Sequence, residues 1–152
     1  MRKLSTAFPL VALALLAAAG PAAADTKFGV RGGYYTDIGE PFVGVEVLTH
    51  IGNRVYFNPN FEWIFVENAN YFTLNGDFHY DFPVGRDVYV WAGAGLGWSS
   101  FDFEGEDNSD NDLVANLLAG AGVNAGGVIP YVQLKLIVQD DTEFVVAVGL
   151  RF

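Results

Sequence analysis

The sequence predicts an all-β chain folded as an eight-stranded antiparallel transmembrane β-barrel. Three observations predict it. Apolar and polar residues alternate in eight segments, the apolar parity of those segments carries no charge, and tight turns alternate with acidic loops between them. Successive side chains of a strand point to opposite faces, so strict alternation separates two environments. The last segment shows this most clearly. From Glu143 to Phe152, Phe144, Val146, Val148, Leu150 and Phe152 share one parity and all are apolar. Glu143, Val145, Ala147, Gly149 and Arg151 share the other, which holds both charges and is otherwise small.

The other segments follow in order. Thr26 to Thr36 sets Phe28, Val30, Gly32 and Tyr34 against Lys27, Arg31 and Tyr35. Phe42 to Thr49 sets Val43, Val45 and Val47 against Gly44 and Glu46. Val55 to Phe65 sets Phe57, Phe61 and Trp63 against Asn58, Asn60 and Glu62, with Pro59 on the apolar parity. Proline removes a ladder donor, so a bulge or a shifted strand is expected there. Tyr71 to Phe82 sets Phe72, Leu74, Phe78 and Tyr80 against Thr73, Asn75, Asp77, His79 and Asp81. Val88 to Phe101 sets Val90, Ala92, Ala94, Leu96 and Trp98 against Trp91, Gly93, Gly95, Gly97 and Ser99. Leu113 to Val123 sets Leu117, Ala119 and Ala121 against Asn116, Gly120 and Gly122. Val128 to Val138 sets Val132, Leu134 and Leu136 against Tyr131, Gln133 and Lys135. Lengths near 9–11 residues suit a tilted strand crossing hydrocarbon.

The connections separate two ends. Residues 51–54, 83–87 and 124–127 are tight and contain glycine, whereas 37–40, 66–70, 102–112 and 139–142 are acidic, the third clearly longer. Short turns on one side and longer loops on the other is the arrangement of an outer-membrane barrel. The four acidic loops hold eleven carboxylates and no lysine or arginine. The polar parity holds Lys27, Arg31, Lys135 and Arg151 with Glu46, Glu62, Asp77, Asp81 and Glu143. A soluble sheet would place charges on its outer face; Lys or Arg at the midplane of a lipid face costs about 2–4 kcal/mol. Aromatic residues of the apolar parity fall toward the segment ends, as expected of interfacial girdles.

The N-terminus reads as a cleaved signal peptide over residues 1–24. Arg2 and Lys3 precede the apolar run Leu10 to Ala19, and Ala22-Ala23-Ala24 supplies small residues before Asp25. The barrel domain is then 25–152. Removing the leader takes the net charge from −10 to −12, although 51% of the chain is hydrophobic. There is no cysteine, so stability is expected from the closed hydrogen-bond ladder rather than from disulfides.

On these residues the chain resembles the small outer-membrane β-barrels of the outer-membrane protein A, protein X and opacity type. The carriers are the signal sequence, the eight alternating segments and the terminal V-G-L-R-F. The resemblance implies that Phe144, Val146, Val148, Leu150 and Phe152 form the strand read by the barrel-assembly machinery. It also implies periplasmic chaperones, outer-membrane lipids and lipopolysaccharide as partners, and a monomer. Nucleic acid is not expected.

Few residues suggest chemistry. His79 lies between Asp77 and Asp81 on the polar parity, a spacing a metal or an acid–base site could use; a hydrogen-bonded interior stack is the reading preferred here. Some barrels of this kind are lipid A deacylases, whose signature needs a lipid-facing His with Ser two positions on. His79 is followed at that spacing by Asp81 and His50 by Gly52, so no catalytic residue is assigned. The six acids between Asp102 and Asp112 lack the glycine and final glutamate of a calcium loop. No metal or other cofactor is expected. Instead Arg31, Glu46, Glu62, Asp77 and Lys135 are expected to form a buried ionic network in a packed polar lumen. The interior glycines are expected to leave room for Trp91, Tyr131 and Arg31.

The function expected is a structural or surface-interaction role in the outer membrane rather than catalysis. The alternatives are a pore for ions or small solutes and a soluble periplasmic barrel of lipocalin type.

Overall fold

Alternation becomes a barrel when each strand pairs with both neighbours and the last returns to the first. The computed structural model describes residues 25–105 and 109–152; the expected signal peptide, residues 1–24, and residues 106–108 lie outside the described residues. Eight strands run in chain order: β1 (Thr26–Tyr35), β2 (Glu40–Gly52), β3 (Val55–Ile64), β4 (Ala69–Phe82), β5 (Val88–Phe103), β6 (Ser109–Val123), β7 (Ile129–Val138) and β8 (Glu143–Arg151). All pairs are antiparallel, and β8 pairs with β1 from Gly29↔Arg151 to Tyr35↔Val145, closing the sheet. At the loop end the seam is latched. The Asp37 N–H donates to Glu143 Oε1 at 2.8 Å, and the Phe144 N–H donates to Asp37 Oδ2 at 3.2 Å. No helix among the described residues is long and apolar enough to cross a membrane.

The turns follow their residues. Asn53 and Arg54 both have positive φ (26° and 65°), the backbone that a two-residue hairpin requires. The register shifts between His50 and Gly52, where Ile51 is the extra residue of a bulge.

That bulge corrects the expectation at Pro59. The β2–β3 register runs unbroken from Glu46↔Asn60 to Thr49↔Phe57, and Pro59 pairs with Gly76 on its other side. The register sets Pro59 opposite Val47, whose carbonyl has lost a ladder donor. Asn58 Nδ2 donates to that carbonyl at 2.9 Å. A neighbouring side chain replaces the missing N–H, so the strand need not buckle.

The acidic loops are shorter than expected. Asp102 belongs to β5 and Asp110 and Asp112 to β6, because the β5–β6 pairing continues to Asp102↔Ser109.

The lumen also differs from a uniformly polar interior. Its loop end is an apolar plug of Tyr35, Phe42, Ile64, Val114, Ile137, Val145 and Ala147. Its turn end holds Trp91, Leu118 and Tyr131, flanked by Tyr89. Charged and amide side chains occupy the level between. A closed interior must be filled to solid density, and apolar bulk fills it where no polar partner is available.

Candidate functional site

The middle of the lumen is the one concentration of buried charge among the described residues. Glu62 is its hub. Arg31 Nη2 donates to Glu62 Oε1 at 2.6 Å, and Lys135 Nζ donates to both carboxylate oxygens at 2.9 and 2.8 Å. The Tyr35 hydroxyl donates to Oε2 at 2.5 Å and Thr73 Oγ1 at 3.3 Å. Glu46 is the second anion. It accepts from Arg31 Nη1 at 3.4 Å and from Arg151 Nε at 2.8 Å and Nη2 at 3.3 Å. Three cations face two carboxylates, with every side chain at most 3% exposed.

Of the five residues expected in this network, Arg31, Glu46, Glu62 and Lys135 come together. Asp77 does not. Its oxygens accept from Asn60 Nδ2 at 2.8 Å and Asn116 Nδ2 at 3.0 Å, within an amide cluster that includes Asn75. The reason is angular position: Asp77 sits on β4, opposite Asn58 of β3 and Gly95 of β5, with no cation on either strand's inner face. Arg151 is the member that sequence reasoning missed. Its signal was available only through the register.

That register reveals a rule. Gly29 faces Glu46 on one side and Arg151 on the other, so these two side chains meet across a strand with no side chain in the way. A Cβ added at Gly29 would lie 2.7 Å from the Glu46 side chain. Gly44 separates Arg31 and Glu62 in the same way. Gly95 separates Asp77 from Asn116, and a Cβ there would lie 2.2 Å from Asp77 Oδ1. Gly120 lies under the Trp91 ring, and Trp91 Nε1 donates across it to Gln133 Oε1 at 3.1 Å. Each glycine is a saddle over which side chains two strands apart reach one another. The expected room for Trp91 is at Gly120, that for Tyr131 at Gly149, and that for Arg31 at Gly44 rather than in the Gly93–Gly97 run.

Below the ionic layer, rings line the turn end. His50 stacks near Tyr56 at 5.0 Å, Tyr56 near His79 at 5.5 Å and His79 on Trp91 at 5.5 Å. The Arg151 guanidinium lies 4.7 Å from the Trp91 ring centroid and 4.2 Å from that of Tyr131, a pair of cation–π contacts with two rings that meet edge to face. His79 Nε2 is 3.2 Å from Asp81 Oδ1, but Asp77 is engaged elsewhere. No group of three metal-ligating side chains converges among the described residues.

The outer face carries the opposite chemistry. Val148, Leu96, Leu134 and Val132 are about half exposed or more. The only Asp, Glu, Lys or Arg on the outward parity of the described strands is Asp102, at the rim. Between Trp98 and Val88 the apolar band of β5 spans roughly 26 Å, taking about 3.4 Å per residue and a tilt of about 40°. Phe144, Val146, Val148 and Leu150 point outward on β8, and Phe152, just past its end, is exposed. On β3 to β5 the outward aromatics group toward the two ends, with Phe57 on Phe78 and Tyr80 on Phe82 nearer the turns and Phe61, Trp63 and Trp98 around Phe72 nearer the loops.

No family model matches this chain, and no curated protein matches it in sequence. Among solved structures it is similar to the N-terminal β-barrel domain of Pseudomonas aeruginosa OprF. The TM-score is 0.65 at 16% identity, over 84% of this chain and 95% of that one. It is similar to Neisserial surface protein A with a TM-score of 0.65 at 14% identity, over 83% and 95%. It is similar to the outer membrane enzyme PagL with a TM-score of 0.54 at 14% identity, over 83% and 98%. This chain therefore has the fold of the small eight-stranded outer-membrane barrels.

Proposed function

We propose that this chain is an integral protein of a Gram-negative outer membrane, with a structural or surface-interaction role and no catalytic one. The observation that carries the reading is the apolar outer band, whose composition suits hydrocarbon and is costly in water over so large a continuous area. The loop end would face outward, meeting lipopolysaccharide with an acidic rim, and both termini would lie on the periplasmic side.

The filled lumen argues against a pore. An eight-stranded barrel is just wide enough for its own side chains, and here the paired ions are capped by apolar plug and ring layers. The histidines argue against the lipid A deacylase alternative. His79 points into the lumen, and neither it nor His50 has serine two positions on. A lipocalin-type soluble barrel would need a polar exterior and a hollow interior, the reverse of this wall.

Membrane fractionation combined with planar-bilayer recording tests the reading. The protein is expected in the outer-membrane fraction, without stable single-channel currents. Recovery in the soluble periplasm would overturn the membrane assignment, and steady unitary conductance would favour the pore.

A further inference from the structure

The chain holds one Asn-Gly pair, Asn75–Gly76, in the middle of β4. Such a pair carries its own chemistry. The backbone nitrogen after an asparagine can attack the side-chain amide and close a five-membered ring. A side chain on the following residue screens that nitrogen and limits the backbone turn that brings it in, and glycine does neither. The steps need only water. The Gly76 nitrogen attacks Asn75 Cγ, the new C–N bond forms and the Cγ–Nδ2 bond breaks. Nδ2 leaves as ammonia, carrying the proton lost from the Gly76 nitrogen. Water then opens the cyclic imide at either carbonyl. One opening leaves an aspartate, the other an isoaspartate whose backbone runs through the former side chain.

The closed barrel holds both reactants apart. Asn75 is 3% exposed. Its Nδ2 donates to Asn60 Oδ1 at 3.0 Å and to Thr73 Oγ1 at 3.1 Å, and its Oδ1 accepts from Asn116 Nδ2 at 2.9 Å. The Gly76 N–H is also engaged. The Glu104 N–H donates to the Asn68 carbonyl, and hydrogen-bonded pairs recur at every second position of an antiparallel ladder. Gly76 and Leu96, in the same unshifted register, are therefore a bonded pair between β4 and β5. Ring closure would have to break that bond, free the amide from β3 and β6, and turn the backbone out of its extended form.

Neither product suits the position. A carboxylate there adds a buried charge with no cation beside it. It would also compete with Asp77 for Asn116 Nδ2, which already serves both residues. Isoaspartate lengthens the backbone by one atom, which puts Asp77, His79 and Asp81 out of step with β3 and β5. Packing does not require the glycine, since a Cβ at Gly76 would meet the Phe57 ring at an ordinary 3.4 Å.

We propose that Asn75–Gly76 is a self-modification site, open in the unassembled chain and shut by barrel closure. A chain left unfolded too long is converted to a form that no longer assembles.

The test holds the full chain either in urea or folded in lipid nanodiscs, in the same mildly alkaline buffer. Mass spectrometry follows the peptide that carries Asn75, and electron-transfer fragmentation tells isoaspartate from aspartate. The chain in urea is expected to lose the amide at least about tenfold faster than the folded barrel, whose ladder-held groups react only through local opening. Gly76→Ala in urea is expected to react several-fold more slowly than the parent, a reading that needs no fold. The aged parent is then refolded into liposomes and separated on an unboiled gel. Modified chains are expected to be depleted several-fold from the compact band and enriched in the unfolded one. Equal rates in urea and nanodiscs, a Gly76→Ala chain that reacts as fast as the parent, or the same modified fraction in both bands overturns the proposal.

Discussion

The inner and outer faces of the barrel wall come from the same eight strands, yet they reverse the arrangement of a protein in water. Inside, Arg31, Glu46, Glu62 and Lys135 are at most 4% exposed; outside, Leu96, Val132 and Val148 are more than half exposed. The difference teaches that each face tolerates a different kind of error. The inner face depends on matched partners, so it fails by subtraction. The outer face depends on the absence of charge, so it fails by addition.

The largest effect is expected at the hub of the inner face. Glu62→Gln leaves three cations facing one carboxylate and should cost about 3–5 kcal/mol in unfolding free energy, the range for breaking a buried pair. Adding Lys135→Met restores the balance by one charge, so the double variant should be milder than Glu62→Gln. Additive losses in denaturant titrations of the folded barrel would show that the two residues are not coupled.

The outer face comes next. Leu134 and Val146 face each other across β7 and β8. Either one changed to Arg should lose about 2–4 kcal/mol of membrane stability, seen as poor assembly into liposomes, whereas Leu96→Phe should assemble normally. Arginine variants that assemble as well as the parent would break the comparison outright.

A smaller loss is expected where the inner face depends on empty space. Gly44→Ala and Gly95→Ala place a methyl between side chains that meet over the strand, and overpacking of this kind costs about 1–3 kcal/mol. Gly76→Ala, on the outer face with its nearest contact an ordinary 3.4 Å from Phe57, should change the unfolding midpoint less. Equal midpoints for all three would dissolve the saddle rule.

The smallest effect belongs to the rim. Its carboxylates would repel anionic lipopolysaccharide unless divalent cations bridge the two, oxygen ligands being suited to magnesium. Neutralising Asp102, Glu104, Asp110 and Asp112 should reduce the magnesium dependence of lipid association, measured by flotation with lipopolysaccharide vesicles. An unchanged dependence would leave those acids a solubilising role.

The strands and their faces were legible because period-2 alternation is a local property, and the inward or outward side of residues such as Arg31 and Phe28 follows from it. Partnership was less legible because it depends on register and closure. Arg151 meets Glu46 only once β8 returns to β1 across Gly29, and no local pattern encodes that distance of 105 residues. That Asp77 joins Glu62 through amides rather than by an ion pair was hidden for the same reason: polarity gave its face but not its position around the barrel. At Pro59 the missing donor was read correctly, while the remedy, Asn58 reaching the Val47 carbonyl, depends on a rotamer. The apolar plug was overlooked because Ile64, Val114 and Ile137 lie on a parity defined by its charges.

Both faces assume a barrel closed in lipid, and gel mobility of the outer-membrane fraction, unboiled against boiled, tests that most directly. A closed, ion-paired barrel should resist the detergent and migrate as a compact species that shifts to its full apparent mass on boiling. One unshifted band, or the protein in the soluble fraction, would contradict the account.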